Sequence, residues 1–328
     1  MLPARRSPSA GAWEPMPDSA FVAVDLGGTQ LRAGLGTESR GIVHRVTART
    51  DHSEGPDSVL RQVAAMAEAV LSDTDTRHAD IRRLAIAAPG PLRPDRGVVY
   101  DAPNMPGWHE VAIVRELERL TGIPVVAVND ANAAALGEHT FGAGRGYRHV
   151  VYLTVSTGIG GGVIVNDQLL EGWHGTAGEL GHMTIDRNGP ECVCGNVGCL
   201  EALASGTSIA RRFRERRMAG EPSLLPPGAG AAEISAAASA GDPLAADVFQ
   251  GAAEDLGHGV VNAIHIFSPE IVIIGGGVSQ AGIALFEPVR AVVAARAMAI
   301  PRQDVRIEPA ALGDNAGLFG ALARAMNE

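Results

Sequence analysis

The chain has 328 residues, a formal net charge of −10, and 46% hydrophobic and 20% charged side chains. That length exceeds what one core usually fills and suggests about two domains, and the acidic balance disfavours a nucleic-acid surface, which needs clustered Lys and Arg. No apolar run approaches the roughly 20 residues of a membrane span, and residues 1–20, two arginines followed by Pro and Ser, read as a disordered leader and not an export signal. The expectation is a cytoplasmic protein with no membrane or nucleic-acid partner.

In chain order, Phe21-Val22-Ala23-Val24-Asp25 is a buried-strand pattern, closed by Leu26-Gly27-Gly28-Thr29 and followed by a second apolar run over 30–35. A helix over 56–71, a strand over 84–88, a helix over 109–120, a strand over 124–128 and a helix over 131–138 come next. Thr121-Gly122-Ile123-Pro124 is a stop signal for the middle helix. Residues 150–165 then repeat the opening pattern of strand, small-residue turn and returning strand, a weak internal repeat. Helices over 205–217 and 243–267 follow, with a Pro- and Gly-rich loop at 221–232 and an Ala-rich helix between them. The basic run from Arg211 to Arg217 reads as a solvated helix face. The apolar strand 271–274 runs into Gly275-Gly276-Gly277, then another helix, then a terminal helix from 315. His44, His52 and His78 read as surface residues. Alternation of strands and helices predicts a mostly parallel sheet in each half. Binding then belongs at the carboxyl ends of the strands, where Asp25, Asp130 and the glycine turns sit.

Three glycine turns can bring backbone N–H groups close to phosphate oxygens. The first is Asp25-Leu26-Gly27-Gly28-Thr29, where Asp25 could hold Mg²⁺ through water. The second is Ser156-Thr157-Gly158-Ile159-Gly160-Gly161-Gly162, and the third is Gly275-Gly276-Gly277. There is no G-x-x-x-x-G-K-[ST] motif, so this is not a P-loop protein. Asn129-Asp130 ends a strand and opens a helix. Asp130 there is either a helix cap or a general base at the mouth of a cleft, with Asn129 donating to the same ligand.

All three cysteines, Cys192, Cys194 and Cys199, fall within eight positions, with His182 upstream and Glu179 and Glu201 flanking. Three cysteines and a histidine form one of zinc's closed tetrahedral sets, and Gly195 and Gly198 let a short loop fold back on itself. A four-ligand zinc has no open position for water, so it would shape structure and place the two glutamates beside a cleft.

Together these motifs, in this order, resemble the ROK family (repressors, open reading frames, kinases) from Phe21 to the C-terminus. The resemblance implies an α/β, two-domain actin-like and hexokinase-like fold, a duplicated ribonuclease H-like unit with an interdomain cleft. It divides the chain into a small domain (21–131 plus 314–328) and a large one (132–313) carrying the zinc loop. It implies Asp130 as catalytic base. It implies Gly90, Asn129, Asp130, Glu179, His182 and Glu201 around the sugar, and Asn104, on the loop Asn104-Met105-Pro106-Gly107-Trp108, is expected to reach the same site. For ATP it implies Asp25, Gly27, Gly28, Thr29, Gln30, Ser156, Thr157, Gly158, Gly160 and Gly161, and Gly276 and Gly277 of the third glycine turn are expected beside them. His182, Cys192, Cys194 and Cys199 match the family's zinc set. Gln30 departs from the family, many members of which carry Lys there. The expected activity is ATP- and Mg²⁺-dependent phosphorylation of a hexose, glucose first. N-acetylmannosamine, N-acetylglucosamine, fructose and allose are alternatives, as is a non-catalytic sugar sensor. A homodimer or homotetramer is the expected assembly.

Overall fold

A computed structural model describes residues 19–327, except 75, 94–95 and 103–104. The first half opens with strand β1 (Ala20–Leu26), which turns back into β2 (Gln30–Thr37) and then β3 (Gly41–Arg49). Helix α1 (Pro56–Asp73) starts on a proline and buries Val59, Val63, Met66 and Val70 on one face, the spacing of an amphipathic helix. It carries the chain to β4 (Ile81–Ala88), parallel to β1. A small sheet of β5 (Leu92–Arg93), β6 (Val98–Asp101) and β7 (His109–Val111) follows, then α2 (Ile113–Thr121), β8 (Val125–Asn129) and α3 (Asp130–Phe141). The helix predicted over 109–120 therefore begins only at Ile113: His109 is paired with Asp101 in the β6–β7 ladder. It stops at Gly122 in the left-handed region, as its stop signal requires.

The second half contains β9 (Val150–Val155), β10 (Ile159–Val165), β11 (Gln168–Leu169), α4 (Leu200–Ala204), α5 (Gly206–Met218), α6 (Ala231–Ser239) and α7 (Pro243–Phe267). After these come β12 (Ile271–Gly275), α8 (Ile283–Arg296), α9 (Ala299–Asp304), β13 (Arg306–Pro309) and α10 (Ala316–Met326). The main sheets run in the orders β3-β2-β1-β4-β8 and β11-β10-β9-β12-β13. Each opens with an antiparallel hairpin and adds parallel strands on the other side, so the weak sequence repeat is a duplicated topology. β1 and β12 are buried along nearly their whole length because helices cover both faces.

One apolar core joins the first sheet to α1 and α2, and another joins the second sheet to α5 through α8. A third lies between the sheets: Phe21 and Ala85 from one, Tyr152 and Ile273 from the other, with α3 and α10 filling the space. These helices cross at backbone contact, since a Cβ on Gly320 would fall 1.7 Å from the carbonyl oxygen of Ala133. Beside this crossing Glu138 is fully buried. Its carboxylate accepts from the amides of Ala143 at 2.8 Å, Ala311 at 3.1 Å and Leu312 at 2.8 Å. It thus ties the end of α3 to the segment entering α10. Among the described residues, no helix is long and apolar enough to cross a membrane.

Candidate active site

Asp25 is the penultimate residue of β1 and pairs in register with Arg32 of β2. Arg32 Nη1 donates to Asp25 Oδ2 at 3.0 Å and its other nitrogen reaches Gln30 Oε1. Burial pushes the Asp25 carboxyl above the usual range, opposed by Arg32. The turn is closed by the Gly27 amide donating to the Gln30 carbonyl at 2.9 Å. Its outer side is held by the segment after β3: Thr50 Oγ1 donates to Gly27 O at 2.6 Å, the Thr50 amide to Thr29 O at 3.0 Å and His52 Nε2 to Gly28 O at 2.6 Å. His52, expected at the surface, is half-buried here. No local pattern around His52 marks this role; it follows from where β3 ends against the turn.

Asn129, not Asp130, caps α3. Its Oδ1 accepts from the amides of Ala131 at 3.0 Å and Asn132 at 3.2 Å, and its Nδ2 donates to Gly90 O at 3.2 Å. Capping by the preceding residue leaves Asp130 at the first helical position, with one carboxylate oxygen accepting from Ala131 at 2.8 Å and, among the described residues, no side-chain partner. Asp130 is open to solvent on one side, yet protein crowds it closely enough on the others to push its carboxyl up to about 6. Desolvation is the main cause, and the charges of Asp25 and Glu179 add to it. These three carboxylates, from three separate segments, therefore share one region.

Glu179 is exposed at the start of a short 3₁₀ turn, Leu180–His182. His182 presents Nε2 to Glu179 at 4.0 Å and Nδ1 to Cys192 Sγ at 3.6 Å. Cys194 and Cys199 sulfurs are 3.7 Å apart, and all four candidate ligand atoms lie within 4.8 Å of one another. Tetrahedral thiolate bonds of about 2.3 Å put ligand sulfurs about 3.8 Å apart, so the set fits a zinc ion. The loop is shaped by bridges Thr184–Cys199 and Glu191–Val197. Gly198 is at φ 67°, where a Cβ would fall 1.5 Å from Asp186 O. Glu201, two residues past Cys199, turns toward the β9–β10 hairpin, and its Oε2 accepts from the Ile159 amide at 2.8 Å.

That second turn is closed by the Ser156 amide donating to Gly158 O at 2.9 Å. The N-terminus of α5 docks on it: the Gly206 amide donates to Ser156 O at 2.7 Å and Thr207 Oγ1 to Thr157 O at 2.8 Å. Beside it opens a cavity of about 820 Å³ whose walls include Ser156, Thr157, Thr207, Arg214, Ala229 and Gly277. The expected nucleotide contacts Ser156, Thr157 and Gly277 therefore line one space, while Asp25, Gly27, Gly28, Thr29 and Gln30 belong to the β1–β2 hairpin of the other sheet. Gly158 sits against the Glu201 carboxylate. Gly160 and Gly161 do not line the cavity. They lie within β10, and Cβ atoms there would strike Ala131 and the Gly178 carbonyl, so they let α3 and the Glu179 segment approach the sheet. Gly276, at φ 84°, passes within 2.4 Å of Val155 O by the same measure. Gly90 packs on Asp101 and meets Asn129. Asn104 lies outside the described residues. The cavity walls from α5, the 226–230 segment and α6 carry no motif, and the loop at 221–232 gave no sign of them. α6 begins within it, at Ala231.

The signature of the ROK family matches the chain over residues 21–328. A glucokinase of Thermotoga maritima is 41% identical over 93% of this chain and 97% of its own length. The ROK hexokinase structure from Thermus thermophilus superimposes with a TM-score of 0.81 at 37% identity, covering 94% of this chain and 98% of that one. A ROK family glucokinase from Streptomyces griseus, solved in complex with glucose and AMPPNP, gives 0.78 at 32% identity, covering 94% and 100%.

Proposed function

The chain belongs to the ROK family, and from that premise we propose that it is an ATP-dependent hexose kinase whose preferred acceptor is glucose. The observation that carries this reading is the state of Asp130: relieved of capping by Asn129, open on one side, and raised to about 6. A carboxylate with that value is a better base than one at its reference value of about 3.9, yet remains ionised at neutral pH.

In the reaction, Asp130 accepts the proton of the sugar's primary hydroxyl as that oxygen bonds to the γ-phosphorus and the bond from phosphorus to the ADP oxygen breaks. Transition states of this kind are loose, so proton removal is a modest contribution beside alignment and charge stabilisation. Glu179 and the Nε2 edge of His182 orient the sugar, Asn129 fixes the helix start that presents Asp130, and the cavity beside Thr207 and Ala229 receives the adenosine. Asp25, held by Arg32 at the end of β1, is the carboxylate suited to a Mg²⁺ ion, which when bound neutralises phosphate charge. His182 Nδ1 and the three cysteine sulfurs would hold zinc as a closed structural set. That set stabilises the loop joining Glu179 to Glu201.

The test is ADP release with ATP and Mg²⁺ against glucose, mannose, fructose, allose, N-acetylmannosamine and N-acetylglucosamine. Turnover highest with glucose is the expected result. A preference for an N-acetylated sugar would reassign the acceptor, and no turnover with any of them would refute the kinase reading.

A further inference from the structure

Each peptide of the turn after β1 has two ends, and all are trans, so its C=O and N–H point in opposite directions. The carbonyl of Gly27 shares a peptide with the Gly28 amide, and the carbonyl of Gly28 shares one with the Thr29 amide. Thr50 Oγ1 donates to the first carbonyl at 2.6 Å and His52 Nε2 to the second at 2.6 Å. Both donors come from the same short segment after β3, so both carbonyls are drawn to one side. The two amides must then face the other. Among the described residues, those amides of Gly28 and Thr29 meet no protein acceptor and lie at the partly open edge of the turn. The bond to Gly28 O also fixes the His52 tautomer, because a carbonyl only accepts: Nε2 carries the hydrogen, and Nδ1 is buried with no partner.

We propose that Thr50 and His52 are positioning residues for the nucleotide phosphates. They hold two peptides of the turn with their amides turned toward the bound phosphate and their carbonyls turned away. The inference rests on the nucleotide reading above and extends it to residues that touch no substrate. It has added weight in this chain, whose 27 basic residues are all arginine. No ammonium group is available to the turn, Gln30 is neutral, and Arg32 is engaged with Asp25. Backbone amides therefore carry a larger share of the phosphate contact. Without the His52 donor, the Gly28–Thr29 peptide can rotate and present its carbonyl oxygen to a phosphate, replacing an attraction with a repulsion.

The experiment measures MgADP affinity by titration calorimetry and the KM values for MgATP and glucose in His52→Phe, His52→Gln and Thr50→Val. His52→Phe should weaken MgADP about tenfold, the effect of about one lost hydrogen bond, 1.4 kcal/mol. It should raise the MgATP KM by the same factor and leave the glucose KM within about twofold. Gln at position 52 can place an N–H near the same point and should recover most of the loss. Thr50→Val keeps the branched shape, loses only the hydroxyl and should weaken MgADP several-fold, which gives a second reading if His52→Phe does not fold. Unchanged MgADP affinity in folded His52→Phe and Thr50→Val would overturn the proposal. So would equal losses for nucleotide and glucose. Calorimetry needs no acceptor, so weakened MgADP binding in the variants alongside a failed hexose panel would uphold the turn's role and refute the kinase reading alone. Wild-type protein that binds no MgADP would overturn both.

Discussion

Asp130 and Asn129 divide two tasks that either could have performed. A capping aspartate spends its oxygens on backbone amides, which lowers its pKa and makes it a poor base; the asparagine takes the cap and leaves Asp130 with one engaged oxygen. Asp130→Asn should cut kcat by about 10²–10⁴-fold, the usual contribution of general base catalysis, while MgADP and glucose binding persist. Retention of a tenth of the wild-type rate would disprove the assignment. The base works only when ionised, so kcat/KM should fall as pH drops through about 6. Stability moves the opposite way. The folded state holds the Asp130 proton more tightly than the unfolded chain, so ionisation disfavours folding above about 6, and that penalty fades as pH falls toward 4. Asp130→Asn should therefore melt above wild type at pH 8, with the difference shrinking at pH 5. A constant difference across that range would mean that another group carries the shift.

The metal loop is the element with the largest consequences for its size. A structural zinc contributes on the order of 10 kcal/mol to local folding. Leu180 and Leu200 anchor the ends of the loop in the main core, but its tip has only the small buried cluster of Cys192, Cys199 and Ala202 and depends on the ion. From the sequence one expects a change there to affect the sugar side alone. The bond from the Ile159 amide to Glu201 Oε2 adds a second consequence, because it joins the loop to the β9–β10 turn. Cys194→Ser should lose the metal, as measured by elemental analysis, and raise the glucose KM more than tenfold and the MgATP KM a few-fold. A metal-free variant with wild-type glucose KM would refute the role given to the loop.

At the scale of the whole molecule, two sheets share a core through α3 and α10, and the connections at the ends of these helices meet at Glu138. Its carboxylate accepts from three amides, one after α3 and two before α10. Glu138 therefore fastens these two connections to each other between the sheets. Glu138→Gln keeps the shape but opposes an amide N–H₂ to backbone donors. Lost charged hydrogen bonds in a buried place cost on the order of 3 kcal/mol, so the melting temperature should fall by roughly 4 °C. Differential scanning calorimetry would show it, and an unchanged melting temperature would mean that the three bonds contribute little.

What the sequence alone determined is the chemistry carried by short spacings. Cysteines within eight positions, glycines at strand ends and Asn129-Asp130 at a strand-to-helix junction are all decided by neighbouring residues, and their positions in the fold follow. The duplicated strand pattern was also legible, since apolar runs and turns are local signals. The sequence missed β7 because a three-residue strand shows too little periodicity to compete with the helix pattern beside it. It left open whether Asp130 caps α3 or acts as a base, because an aspartate at a helix start suits either task, and only the helix start in three dimensions shows Asn129 taking the cap. It gave His52 to the surface, although β3 delivers its ring to Gly28, 24 positions away. The cavity walls at Thr207 and Ala229 and the bonds from Glu138 to Leu312, 174 positions apart, were likewise decided by tertiary structure. Such contacts depend on strand register and helix packing, which bring distant donors and acceptors together without leaving a pattern in the residues around them.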